Sequence, residues 1–308
     1  MRFGLSLEPQ SWPRVPGDAM LRAARDAERI GLEYVLMANH VLENPNGTGL
    51  DPLVLLSAVA GATTHIGIAT SVLVLPYYRP VVLANQIATL DVMSAGRLVV
   101  AVGTGWNPHE FDALGVPIRL RGQRTDDSLE IMKALWSGTT GNLDDRFAGL
   151  RDASIGVPPH RPGGPPIWVG GHSDAAIRRA LRFGDGWHGS GIDHEDARFF
   201  RHRIEELAVG TGRDPATIEI STVGFLVPPG IPAVRPAPGR LLGGTDATTE
   251  AIIEDLRQLA DAGVSMCSLW IPVDGRLVGE ALEWLASEVL PHVEPTSWSG
   301  QRHRDWSE

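Results

Sequence analysis

Cysteine is nearly missing from this chain. Cys267 is the only one among 308 residues, which excludes a disulfide framework and any multi-cysteine zinc or iron–sulfur centre. Lysine is as scarce, Lys133 standing alone, so arginine carries almost all the positive charge. Basic residues number 27 against 37 acidic ones; the formal net charge of −10 excludes whole-surface attraction to nucleic acid or anionic membranes. No apolar run approaches the roughly 20 residues that span a bilayer, and Met1–Leu7 lacks the charged start and apolar stretch of a secretory signal. A soluble, cytoplasmic protein is expected. No His-Glu-x-x-His pair or Gly-x-Ser-x-Gly elbow occurs, and His188 and His194 have no cluster of carboxylates near them, so no metal site is expected. Aromatic residues make up only 6%, yet hydrophobic residues reach 43%, ample for a buried core.

What is present is an alternation. Strand-like runs at Phe3–Leu7, Tyr34–Ala38, Ile66–Leu75, Leu98–Gly103, Ile167–Val169, Gly186–Gly189, Ile218–Val227 and Met266–Ile271 are each followed by helical spacing. The helices read as Asp18–Ile30, one opening at Asp51-Pro52, Pro80–Met93, Asn107–Leu114 with Asp126–Trp136, Asp174–Phe183, Asp196–Val209, Asp246–Ala262 and Leu277–Leu290. Eight strand–helix units imply an α/β fold, a closed parallel (β/α)8 TIM barrel, because the Gly-x-Gly-x-x-Gly of an open dinucleotide-binding sheet is absent after the first strand. The expected organisation is one barrel over residues 1–293 and a polar tail over 294–308. Two long excursions, Ser137–Pro166 and Pro228–Gly244, are expected to insert at the C-terminal mouth and set specificity.

Reactive groups of such barrels gather where strands end. Glu8, Asn39, His40, Ser71, Arg79, Trp106, Asn107 and Glu110 stand at such places. His40 suits a general acid or base, or equally a ring held by a backbone carbonyl. Glu110 is a catalytic candidate or a helix-capping carboxylate. Gly170-Gly171-His172-Ser173 joins a strand to a helix, either as an anion-binding turn or as a plain tight turn. Ser190 ends the next strand. Cys267 reads as an inert core thiol.

Longer blocks carry a resemblance. Thr70-Ser71-Val72-Leu73-Val74-Leu75-Pro76, Arg79-Pro80, the run Ala88–Leu98, Val102-Gly103-Thr104-Gly105-Trp106 with Glu110-Phe111, Pro166–Gly171, Gly184-Asp185-Gly186-Trp187 and the stretch from Gly243 to Val264 resemble the bacterial-luciferase-like monooxygenase superfamily, closest to its coenzyme F420-dependent oxidoreductase branch. The resemblance implies a barrel, often dimeric, that binds a reduced flavin-type ring at the strand tips. It implies a non-prolyl cis peptide at Ser71-Val72 in a bulge behind the ring. It places Asn39 where relatives usually have aspartate and His40 near the reactive centre, and it matches Glu110 to the superfamily's glutamate. Asn39, Ser71, Val72, Gly105, Asn107, Gly170, Gly171, His172, Ser173 and Ser190 are the implied cofactor contacts, His40 and Glu110 the catalytic pair. Glu8, Arg79 and Trp106 are left to face the substrate. Trp106 stands where a sugar-phosphate dehydrogenase branch has an acidic residue, which points to a more apolar small-molecule substrate.

The implied activity is hydride transfer between the deazaflavin ring of coenzyme F420 and a small organic substrate. FMN-dependent oxygenation is the alternative, and a cofactor-binding protein without turnover the second alternative. A homodimer is expected; neither nucleic acid nor a membrane is an expected partner.

Overall fold

The computed structural model describes residues 1–7, 17–43 and 49–293. Among the described residues nine strands form one sheet: β1 (Arg2–Ser6), β2 (Tyr34–Met37), β3 (Gly67–Thr70), β4 (Leu73–Val74), β5 (Leu98–Gly103), β6 (Ile167–Gly170), β7 (Gly186–Ser190), β8 (Glu219–Phe225) and β9 (Met266–Trp270). All their pairings are parallel, in the order β3-β2-β1-β9-β8-β7-β6-β5-β4, and β3 also pairs with β5. The sheet therefore closes on itself as a parallel eight-stranded barrel, with β3 and β4 as two pieces of one staff. The expected third strand, Ile66–Leu75, is thus interrupted. Ala69 pairs with Val99 and Leu73 with Val102, so four steps on one strand match three on its neighbour. The extra residue is a bulge at Ser71-Val72, whose peptide bond is cis.

Outside lie α1 (Gly17–Arg29), α2 (Pro52–Ala62), α3 (Pro80–Met93), α4 (Pro108–Ala113), α5 (Arg121–Ser137), α6 (Asp174–Phe183), α7 (His194–Ala208), α8 (Thr249–Asp261) and α9 (Val278–Trp284). Proline opens α2, α3 and α4, where no backbone bond is lost. Side-chain caps come from Asp51, Asn107, Ser173, Asp193 and Thr248. Helix α5 begins five residues before the expected Asp126, and the last helix passes into a π turn at Leu285–Val289.

Alternation decides which side chains fill the barrel. Phe3, Leu5 and Leu7 join the large core cluster shared with the helices, while Tyr34, Leu36, Ala69, Val99, Ala101, Trp168 and Met266 form a separate cluster inside the ring. Large residues face bare backbone there. A Cβ on Gly67 would stand 2.4 Å from the Tyr34 ring, and one on Gly186 2.3 Å from Trp168 Cδ1. At the N-terminal end Arg2 pairs with Glu219, which also accepts from Ser265 Oγ at 2.9 Å.

Of the two excursions at 137–166 and 228–244, one reaches the mouth. Residues 228–244 follow β8 and are tied over the ends of β8 and β9, with Val234 N–H donating to Pro272 O at 2.7 Å and Leu242 N–H to Phe225 O at 2.8 Å. Ala237 and Leu241 pack on Val223, Phe225 and Trp270 beneath them. Residues 137–166 lie at the opposite end, contrary to expectation. They run from the end of α5 to the start of β6, and a helix-to-strand connection returns to strand N-termini. Arg161 N–H donates to Asp91 Oδ2 at 3.2 Å near the end of α3, and Val100 N–H, early in β5, donates to Pro166 O at 2.9 Å.

Candidate active site at the barrel mouth

Just past β2 the chain delivers Asn39 and His40 to the mouth. Asn107 caps α4 through His109 N–H (3.1 Å) and so sets Glu110 in the helix's first turn, only 1% exposed. Glu110 Oε2 lies 3.2 Å from His40 Nδ1 and accepts from the Tyr77 hydroxyl at 3.0 Å. Its Oε1 accepts from the Val41 and Leu42 amides at 2.7 and 3.2 Å. Burial raises the carboxyl's pKa, but the Leu42 and Val41 amides and the His40 ring outweigh it, and Glu110 sits below its ordinary value. Tyr77 is pushed well above the ordinary phenol value by burial and by the Glu110 charge. Trp106 stands edge-on to His40, ring centroids 5.8 Å apart, and is 56% exposed.

The bulge forms the neighbouring wall. Asn39 Oδ1 accepts from Val74 N–H at 3.0 Å and the Tyr78 hydroxyl at 3.3 Å, while its buried Nδ2 has no hydrogen-bond partner among the described residues. Val72 occupies a gap left by two glycines: a Cβ on Gly103 would lie 2.6 Å from Val72 Cγ2, and one on Gly170 2.8 Å from Cγ1. Gly105, at φ +77°, passes close under Val74 and Phe111. Ser71 Oγ reaches His188 Nε2 at 3.1 Å, and His188 Nδ1 reaches Ser221 Oγ at 2.8 Å. Burial, with a smaller contribution from His172, holds His188 down at about 4, so it is a neutral ring at pH 7.

At the next strand tip Gly171 adopts φ +121°, its carbonyl held by Trp187 Nε1 at 2.7 Å. His172 packs on Trp187 and Phe200, and Ser173 caps α6 through Ala176 N–H at 3.3 Å. Gly171, His172, Ser173 and Ser190 are all exposed.

Asn39, His40, Ser71, Val72, Trp106 and Glu110 therefore share one mouth, linked by the contacts above, and the Gly170–Ser173 turn and Ser190 open on the same end of the barrel. Arg79 is exposed at the start of α3 without a capping bond, and Asn107 spends its side-chain oxygen on the α4 cap. Glu8 and the 294–308 tail lie outside the described residues. Sequence reasoning missed Tyr77 and Ser221, and it placed His188 at a strand end without giving it a role. Tyr77 follows the conspicuous 70–76 block, but its partner is 33 positions away and leaves no local signal.

A bulged eight-stranded parallel barrel with these residues at its mouth agrees with the family model described as luciferase-like monooxygenase, which matches residues 1–228. The chain belongs to that family. Its members are oxidoreductases that depend on F420 or flavin. An uncharacterized protein from Mycobacterium tuberculosis is 33% identical over 180 residues, 58% of this chain and 62% of its own length. The F420-dependent hydroxymycolic acid dehydrogenase of the same organism is 28% identical over 207 residues, 65% of this chain and 56% of its own. The matches thus span less than two thirds of either relative. Among solved structures, an F420-dependent secondary alcohol dehydrogenase in complex with an F420-acetone adduct superposes with a TM-score of 0.75 at 18% identity, over 95% of this chain and 99% of its own; that likeness is one of fold. No helix among the described residues is long and apolar enough to cross a membrane.

Proposed function

We propose that this protein is a coenzyme F420-dependent oxidoreductase that moves a hydride between the deazaflavin ring and a small, largely apolar organic substrate. The observation that carries this is the His40–Glu110 contact at the barrel mouth. Glu110, ionised and buried, accepts a hydrogen bond from Nδ1–H and fixes the tautomer, so Nε2 is left to exchange a proton. When bound, the deazaflavin supplies the two-electron chemistry at its C5 carbon. His40 gives or takes the accompanying proton at Nε2, its ring oriented by the neighbouring carboxylate. Tyr77 and the two amides keep Glu110 from turning away.

The residues present fit such a cofactor. Asn39 Nδ2 is a buried donor awaiting an acceptor, and Val72, seated between Gly103 and Gly170, offers an apolar support for a flat ring. Gly170, Gly171, Ser173 and Ser190 would hold the phosphate, with the first-turn amides of α6. Trp106 offers an apolar face beside His40, which suits a substrate without phosphate.

Fluorescence titration with F420 and with FMN tests this. Saturable binding of F420 alone is expected. Binding of FMN alone would replace the proposal with flavin-dependent oxygenation, and F420 binding without turnover by any alcohol or ketone would favour a binding protein.

We further propose a homodimer through α2 and α3. Neither helix carries lysine, arginine or glutamate, and Asp91 is buried, yet Val54, Val81, Val82 and Met93 are exposed. On a chain of net charge −10, a charge-free face is where a second copy meets least repulsion. Val82→Arg should turn the dimer into monomer in sedimentation velocity; an unchanged coefficient would refute this interface.

A further inference from the structure

The imidazole of His188 takes no part in proton exchange at His40, yet both its nitrogens are engaged. Nε2 lies 3.1 Å from Ser71 Oγ, and Nδ1 lies 2.8 Å from Ser221 Oγ, whose hydroxyl donates to the Trp187 carbonyl at 3.4 Å. His188 is 3% exposed and Ser221 0%, so bulk water does not reach the contact between them, whereas Ser71 is half-buried at the mouth. The Trp168 ring lies nearly parallel to the imidazole, 12° between planes and centroids 6.2 Å apart, and fixes its plane.

A neutral imidazole donates from one nitrogen and accepts at the other. With the proton on Nδ1 every donor is used: Nδ1–H to Ser221, the Ser221 hydroxyl to Trp187 O, and the Ser71 hydroxyl to Nε2. With the proton on Nε2, the ring donates to Ser71 and Ser221 donates to the ring. The Ser71 proton then has no acceptor among the described residues and turns to the mouth, and the Trp187 carbonyl loses the Ser221 hydroxyl. The first arrangement makes three bonds, the second two. Connected bonds of this kind also reinforce one another in a low-dielectric interior.

We infer that His188 is a positioning residue: held as its Nδ1–H tautomer by Ser221, it draws the Ser71 hydroxyl proton inward, so the Ser71 oxygen meets the mouth as an acceptor only and selects a ligand edge bearing an N–H or O–H group. For the identity of that ligand this rests on the proposed function, since Ser71 opens the bulge that would back the ring. Ser221 never touches the ligand; it acts two residues removed, through His188 and Ser71.

The first test is the histidine ¹⁵N spectrum of the unliganded protein at pH 7, with His188 assigned by its loss in His188→Asn. A protonated Nδ1 is expected in the unaltered protein. In Ser221→Ala the proton should move to Nε2, and in Ser221→Thr, which keeps the hydroxyl, it should remain on Nδ1. Nε2–H in the unaltered protein would overturn the inference outright. The second test is titration with oxidised F420. Ser71→Ala and Ser221→Ala should each weaken binding three- to tenfold, and the double variant should bind no worse than Ser71→Ala alone, because the distant hydroxyl acts only through the nearer one. Losses that multiply in the double variant, or a Ser221→Ala variant that binds as well as the unaltered protein, would overturn it too. Failure of the unaltered protein to bind F420 would instead sink the proposed function, and the tautomer would still decide the polarity of Ser71.

Discussion

His40 Nδ1 and Glu110 Oε2 lie 3.2 Å apart although 70 residues separate them in the chain. The loop after β2 and the first turn of α4 bring them together, and the same carboxylate binds two amides of the His40 loop and the Tyr77 phenol. One buried charge thus joins three segments at the mouth.

Glu110→Gln should cost about 2 kcal/mol of stability at pH 7, because hydrogen bonds to a charged acceptor are replaced by weaker ones. The folded-state pKa lies below the ordinary one, so the contribution is fully present above the ordinary carboxylate range and fades as pH falls through the folded value. Urea midpoints between pH 7 and 3 should therefore fall more steeply for the unaltered protein than for the variant. Parallel curves would show that Glu110 is not ionised in the fold.

His188 adds a pH dependence of the same sign in a higher window. Its pKa is near 4 in the fold against about 6.5 in the open chain, so between those values the unfolded chain binds the extra proton. Stability should decline as pH drops from about 6.5 to 4, by about 3 kcal/mol from this group. His188→Phe should flatten that window in denaturant titrations, and an unchanged slope would mean that the ring is not buried neutral.

Gly170→Ala would place a methyl group 2.8 Å from Val72 Cγ1. Overpacking of this kind costs about 1–3 kcal/mol. Val72→Ala in the same chain should restore part of the loss, giving a coupling energy of opposite sign in a double-variant cycle. Simple additivity would mean that Val72 does not fill the glycine gap.

Cys267 is fully buried and its thiol is pushed up to about 12, by burial first of all. Ellman's reagent should leave the native protein unlabelled and react at once in denaturant, so labelling reports unfolding. Rapid labelling of the native state would place the thiol at the surface.

Much of the barrel was legible in the residues themselves. Apolar alternation in Phe3–Leu7, the prolines opening α2 and α3, and the repeated strand–helix rhythm are local signals, each written within a few residues, and the 70–76 block pointed to the bulge. The side of the barrel on which residues 137–166 lie was misread because length alone says nothing of direction; the order helix, loop, strand does. The four contacts at Glu110 and the Ser71–His188–Ser221 chain were not legible.

The sequence by itself determined the periodicities, the closed parallel sheet they require, and the family. The tertiary structure alone decided which polar atoms meet, that Asn39 Nδ2 has no partner among the described residues, and which end residues 137–166 and 228–244 cover. The physical reason is range: backbone preference and amphipathic spacing act between near neighbours, whereas a hydrogen bond between Ser71 and His188 spans 117 residues and exists only once the sheet has closed.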